Sequence, residues 1–184
     1  EWAGGLPGTV GGAIRGNAGA FAGETKDNIK EAESLNIKTL KTKQRTNKEC
    51  GFDYRNSIFK SGEGRKEIIL SASFTFKKGI AEKIKIKTQE RIDHRIDKHP
   101  LEYPNIGSIF KNVDLHLVPE KVRLEFKDYI KKDPFPVIPV AKLILGVGLK
   151  GKSIGGAQIS TKHPNFIVNL DNAKAEDVKE LMKI

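Results

Sequence analysis

Between Ala3 and Gly23 the chain places eight glycines and five alanines around one proline, with Leu6, Val10, Ile14 and Phe21 as the large apolar residues. Glycine permits positive φ and close backbone approach at a cost in conformational entropy. A flexible linker would be polar. Here apolar residues recur at helical spacing, which predicts a tight turn leading into a short buried helix. Backbone amides at a helix start, free of side chains, suit the pyrophosphate of a nucleotide cofactor. The same composition also serves a glycine-rich turn packed on a neighbouring helix, and no Lys-Ser or Lys-Thr pair closes it as a phosphate loop. Further on, Arg55 follows Tyr54. A guanidinium is permanently charged and can grip a carboxylate through two parallel hydrogen bonds, or can sit in a surface salt bridge. Ser108 follows Gly107 on a path constrained by Pro100 and Pro104; taken alone it is a turn serine. A serine hydroxyl becomes a useful acid only beside positive charge or hydrogen-bond donors, and Lys111 is near in sequence. His94, His99, His116 and His163 show no metal-ligand spacing, and Cys50 is the single cysteine, so no metal site is expected. Cys50 has no histidine beside it and reads as a small buried hydrophobe.

The apolar pattern outlines the elements that must position these groups. Thr25 to Gln44 alternates loosely through Ile29, Ala32, Leu35, Ile37 and Leu40, which predicts two modest strands and a turn. Cys50 to Lys60 mixes aromatic and polar residues and reads as an irregular loop. From Ile68 to Lys77 the alternation is stricter. Ile68, Leu70, Ala72, Phe74 and Phe76 are expected on one face of a half-buried strand, opposite Ser71, Ser73 and Thr75. Ile80, Ile84, Ile92 and Ile96 predict an amphipathic helix ending before Pro100. The lysine-rich stretch from Val113 to Lys132 leaves its structure open. Pro134, Pro136 and Pro139 exclude helix, and a helix from Val140 to about Leu145 is expected to close at Gly146 or Gly148. Phe166 to Asn169 reads as a short strand. Asn172 is expected to cap a last helix that buries Val178, Leu181 and Met182. Without a βαβ rhythm the fold class is α+β, with a boundary near residues 77–80.

Composition narrows the partners. At 184 residues, 38% hydrophobic and 30% charged, the chain describes a soluble protein of one domain or two small ones, with no span for a bilayer. No secretory signal is present, so a reducing cytoplasm is the default. The formal charge of +10 invites an anionic ligand, through lysines scattered in small groups. Nucleic acid fits the charge, but no RNP-type aromatic motif, zinc-finger spacing or heptad zipper accompanies it.

Four strings carry something more specific: Gly5-Leu-Pro-Gly-Thr-Val-Gly-Gly-Ala-Ile14 with Gly16-Asn-Ala-Gly-Ala-Phe21; Tyr54-Arg-Asn-Ser-Ile-Phe-Lys60; Pro100-Leu-Glu-Tyr-Pro-Asn-Ile-Gly-Ser-Ile-Phe-Lys-Asn112; and Gly148-Leu-Lys-Gly151 followed by Gly155-Gly-Ala-Gln-Ile-Ser-Thr-Lys-His-Pro-Asn-Phe-Ile-Val-Asn169. In this order they resemble the UDP-N-acetylenolpyruvoylglucosamine reductases, the MurB enzymes. The resemblance implies part of a FAD-binding α+β domain of the PCMH/VAO type at residues 1–78. A smaller α+β substrate-binding domain, incomplete at its C-terminus, would follow at 79–184. It also implies a monomer that takes FAD and NADPH and reduces UDP-N-acetylglucosamine enolpyruvate, with neither nucleic acid nor membrane as partner.

Residue by residue, the resemblance places Leu6, Pro7, Gly8, Thr9, Gly11, Gly12, Asn17, Gly19 and Ala20 against FAD. It gives Arg55 the enolate-stabilising charge and Ser108 the proton. Tyr54, Lys111 and Asn112 would line the substrate site, with Arg95 and Lys150 on the diphosphate. His99 stands where the family often has glutamine, and Leu145 where an acidic residue is common. The family's C-terminal glutamate falls beyond Ile184, and part of the N-terminal lobe before Glu1, so uncovered apolar faces are expected near the start. The absence of an extra tyrosine-bearing loop between Lys77 and Pro100 is similar to the shorter, type II branch. A non-catalytic nucleotide-sugar-binding piece is the alternative reading.

Overall fold

Thr9 ends the turn-rich entry segment because its side chain can cap a helix. Its Oγ1 accepts from Gly12 N at 3.1 Å, opening α1 (Val10–Gly16) in the computed structural model, which describes residues 1–132 and 135–184. Asn17 closes α1 in the left-handed conformation at φ 43°, which asparagine tolerates better than most residues. The chain then forms a small antiparallel ribbon, β1 (Gly19–Ala20) with β2 (Gly23–Glu24), turned by Phe21 and Ala22 at φ 51° and 63°. Both turn residues at positive φ match the twist of paired strands.

The chain forms two units, Glu1–Ile92 and Asp93–Ile184. In the first, β3 (Ile29–Asn36) is the centre of a three-stranded antiparallel sheet, flanked by β4 (Thr42–Thr46) and β5 (Glu67–Phe74). The loop expected around Tyr54-Arg55 is built from a single-turn 3-10 helix at Lys48–Cys50, an Asp53–Asn56 bridge and the short α2 (Ile58–Ser61). Ile14, Ile29, Ala32, Cys50 and Phe59 form the buried core, with Ile69, Ala72 and Phe74 packed against it. Burying a side chain the size of Phe59 or Ile14 contributes roughly 1.5–3 kcal/mol. Cys50 is fully buried and burial pushes its thiol pKa up, as a small hydrophobe would behave.

The face expected for β5 is corrected. Ile68 and Leu70 are 55% and 51% exposed, whereas Ile69 lies against the core with Ala72 and Phe74. A bulge is the reason: Glu33 pairs with Ser71 and Ser34 with Ile69, so Leu70 is an extra residue and the alternation changes phase across it. The strand also ends at Phe74, and Phe76 is 72% exposed.

The three strands are stitched by an ion pair that hydrophobic patterning cannot reveal. Arg45 on β4 is buried and grips Glu67 of β5 bidentately, Nη1–Oε2 at 2.5 Å and Nη2–Oε1 at 2.8 Å, while Nη1 also donates to Ser34 Oγ of β3 at 2.8 Å. The guanidinium holds the Glu67 carboxyl below its ordinary pKa.

Helix α3 (Ala81–Lys98) runs across the division between the units. Its amphipathic reading needs correcting: Ile84 and Ile96 are 37% and 57% exposed, as is Ile80 just before it at 62%, while Arg95 is the buried residue of the helix. In the second unit, β6 (Asn105–Ser108) begins a four-stranded antiparallel sheet that three later strands complete. Between them lie β7 (Val113–Asp114), α4 (Glu120–Glu125), β8 (Val137–Ile138), which pairs with β7, and α5 (Val140–Gly146). The strands β9 (Ser153–Ile154), β10 (Ala157–Ile159) and β11 (Phe166–Asn169) follow, then α6 (Ala175–Leu181). Pro139 precedes α5 as expected; Pro134 lies outside the described residues. Ala157, Ile159, Ile167 and Leu181 form the core.

The cap expected at Asn172 belongs instead to Lys174, whose N–H donates to Asp177 Oδ2 at 2.9 Å; Met182 is 44% exposed. Among the described residues no helix is long and apolar enough to cross a membrane, and no group of three His, Cys, Asp or Glu could hold a metal.

Candidate active site

In the first unit, the entry segment offers backbone. Leu6, Pro7, Gly8 and Thr9 are exposed, and Gly8 sits at φ 133° with nothing within 4 Å of where a Cβ would be. Gly11 lies over Ile69, and Gly12 is capped by Thr9. The first amides of a helix have no intrahelical acceptor, so bare backbone here fits a diphosphate-bearing group such as that of FAD. Asn17 plays another part. It is fully buried, its Nδ2 donates to Glu24 Oε2 and to the Asp53 carbonyl, each at 3.0 Å, and its Oδ1 accepts from Lys26 N at 3.0 Å. Both amide protons and the carbonyl are therefore engaged inside the unit. Gly19 and Ala20 lie on β1, half-buried.

Arg55 is held close to this segment. The turn Asp53–Asn56 is closed by reciprocal backbone bonds of 3.1 and 3.0 Å, and Arg55 occupies it at φ 53°, a left-handed conformation uncommon for a long side chain. Its Nη2 donates to the Gly19 carbonyl at 2.5 Å, and its Nη1 to Glu24 Oε1 at 3.2 Å and the Asn17 carbonyl at 3.5 Å. The guanidinium lies 5.0 Å from the centre of the Tyr54 ring, a cation–π distance. Lys60 Nζ donates to the Arg55 carbonyl at 2.9 Å, fixing the backbone from the far side. The predicted Arg55, Tyr54, Asn17 and Gly19 thus come together, around a residue that sequence reasoning missed. Glu24 is 8% exposed and accepts from Arg55, Asn17 and Lys26, the last at 2.9 Å. The Glu24 hydrogen bond raises the Lys26 pKa. Only its place just after the glycine-rich string could have marked it.

Ser108 belongs to the second unit, at the exposed end of β6 after Gly107, whose φ of 84° favours glycine. It pairs across the sheet with Phe166. A second missed residue holds this segment. Asn165, 4% exposed, donates through Nδ2 to the Phe110 carbonyl at 2.8 Å and accepts Phe110 N on Oδ1 at 3.1 Å, while its own carbonyl accepts Ile109 N at 2.9 Å. His163 Nδ1 accepts from Asn165 N at 3.3 Å, and the His163 ring stands edge-on to His99 at 5.6 Å. Burial, then the neighbouring His163 and Arg95, push His99 down to about 4.

Of the substrate-site candidates here, Asn112 uses Oδ1 to accept Val140 N at 3.3 Å, at the first residue of α5, and Lys111 and Lys150 are exposed. Arg95 is 7% exposed, and burial lowers its pKa.

The family of C-terminal domains of UDP-N-acetylenolpyruvoylglucosamine reductase matches residues 99–184. The reductase of Fervidobacterium nodosum is 43% identical over 97% of this chain and 50% of its own length; that of Synechococcus is 35% identical over 100% and 53%. The crystal structure of the reductase from Thermus caldophilus superposes with a TM-score of 0.73 at 30% identity, over 97% of this chain and 56% of that one. The chain spans about half the length of the curated relatives it matches. Residues 99–184 match the C-terminal domain family of the UDP-N-acetylenolpyruvoylglucosamine reductases, within a chain that aligns with those enzymes along nearly all its length.

Proposed function

We propose that this chain carries chemistry of a FAD-dependent oxidoreductase, the NADPH-driven reduction of UDP-N-acetylglucosamine enolpyruvate to UDP-N-acetylmuramate for peptidoglycan synthesis. Residues 1–78 act as part of the FAD-binding domain and residues 79–184 as the substrate-binding domain of a cytoplasmic monomer. The observation that carries the reading is Arg55, fixed by hydrogen bonds to the carbonyls of the same glycine-rich stretch that fits a diphosphate. The backbone of Leu6–Gly12 would hold FAD, which once reduced by NADPH would supply a hydride for the methylene carbon of the enolpyruvyl group.

Addition of hydride at that carbon moves the double-bond pair toward the carboxylate and forms an enolate. The Arg55 guanidinium stabilises this charge, and because its orientation is set beforehand no reorganisation is needed as the charge develops. The Ser108 hydroxyl gives its proton to the neighbouring carbon, completing the reduction. Tyr54 stacks beneath Arg55 and restricts its swing. Lys111, Lys150, Arg95 and Asn112 supply the donors for the sugar nucleotide.

The test is a flavin spectrum of the purified chain with FAD, followed by titration with UDP-N-acetylglucosamine enolpyruvate and NADPH. A perturbed flavin band that responds to substrate, with NADPH oxidation, is expected. Binding of the UDP-sugar without flavin would replace this reading with that of a non-catalytic nucleotide-sugar-binding piece.

A further inference from the structure

Resting on the catalytic reading of Arg55, we infer that Glu24 is a positioning residue for the reduction, a buried carboxylate that orients the Arg55 guanidinium from the end of the glycine-rich segment. The two oxygens of Glu24 are divided between roles. Oε1 accepts from Arg55 Nη1 at 3.2 Å, and Oε2 accepts from Asn17 Nδ2 at 3.0 Å and meets Lys26 Nζ at 2.9 Å. Glu24 is itself fixed by its backbone, since its N–H donates to Asp27 Oδ2 at 2.7 Å and β2 pairs it with Gly19. Its partner across the ribbon, Gly19, supplies the carbonyl that takes Arg55 Nη2. The arginine thus spans one rung of the ribbon, gripping the side chain on one strand and the backbone on the other. Every group that meets the Glu24 carboxylate donates a proton. An amide of the same shape would present one donor to another on one side, whichever way it was turned.

At 8% exposed, Glu24 has little water to fall back on, so the arrangement depends on Arg55 and Lys26 for its charge balance. Arg55 is 32% exposed along its side chain, so it is anchored on one side and open on the other. That is the geometry of a group presented to a ligand. The Lys26 cation completes the neutralisation, which leaves Arg55 its positive charge for a second anion rather than cancelling it against Glu24.

The test compares the unaltered chain with Glu24→Gln, Arg55→Ala and the double variant. In nitrogen-15 spectra of the labelled chain, the Arg55 guanidinium protons should exchange slowly and become fast in Glu24→Gln, while amides outside the ribbon and the Asp53–Asn56 turn stay in place. Turnover of UDP-N-acetylglucosamine enolpyruvate by Glu24→Gln should fall roughly a hundredfold, in kcat rather than KM. Added guanidinium ion should restore part of the turnover lost in Arg55→Ala, and should fail to do so in the double variant. A role limited to holding the fold together would not make rescue depend on Glu24. Slow exchange surviving in Glu24→Gln, unchanged kcat, or equal rescue in the double variant each overturns the inference. Full activity in Arg55→Ala, or no turnover by the unaltered chain, removes instead the reading of Arg55 on which it rests.

Discussion

Gly19 has almost no room to be anything else. A Cβ built there would lie 2.7 Å from Glu24 Cγ and 2.8 Å from both Arg55 Nη1 and the Gly23 carbonyl. Gly19→Ala should therefore push the guanidinium off its seat and cost roughly a hundredfold in turnover, measurable by stopped-flow. Ser108→Ala should lower overall turnover by about 10²- to 10⁴-fold while flavin bleaching by NADPH proceeds as before, because only the proton to substrate is lost. Arg55 and Ser108 stand out in the sequence as candidates because a charge and a hydroxyl fall within recognisable strings. Glu24 and Asn165 were not, because a carboxylate in Gly-Glu-Thr or an amide in Pro-Asn-Phe gains its role only when distant segments meet. Asn17, which the resemblance sets against FAD, turns its side-chain amide inward to Glu24 and the Asp53 carbonyl.

At the scale of elements, Asn165 ties the segment after Ser108 to the approach of β11 through a two-way amide clamp on Phe110. Asn165→Ala should cost about 1–3 kcal/mol in urea unfolding, by leaving buried backbone groups unpaired. The Arg45–Glu67 pair should be costlier to break. Arg45→Met leaves the Glu67 carboxylate buried without its partner, and a loss of about 3–5 kcal/mol is expected in the same assay. The existence of β3, β4 and β5 could be read from alternation, since a period of two survives in any strand. The face of β5 could not. The bulge at Leu70 is a property of pairing with β3, and nothing in Ile68–Leu70, three apolar residues in a row, marks which one turns inward. Helix α3 was found for its length and its stop at Pro100, yet periodicity alone assigned its isoleucines to a core that they do not occupy.

For the whole molecule, charge and protons set the conditions of use. With a net charge of +10, kcat/KM for a diphosphate ligand should decline as salt is raised, which initial-rate measurements at several ionic strengths would detect. Acid should weaken the fold in two stages. His99 titrates near 6.5 when unfolded and about 4 when folded, so between these values the unfolded chain holds the extra proton and stability declines as pH falls. Glu67 has a folded pKa below its unfolded one, so its stabilisation is present above the carboxylate range and is lost at lower pH still, as its folded form takes up a proton. His99→Gln should shrink the first stage to the share of His163, whose pKa burial also lowers, and leave the second, as read from unfolding midpoints across that range.

Cys50 adds a practical consequence. It is the one sulfhydryl in the sequence, and it is fully enclosed beneath Ile14, Ile29 and Phe59. A thiol reagent added to the folded chain has nothing to react with until the Glu1–Ile92 unit opens. The labelling rate is then a stopwatch for the breathing of that unit alone, untouched by events around Ser108. Timed with and without FAD, it would register how firmly a ligand on the glycine-rich face closes the layer of residues beneath it.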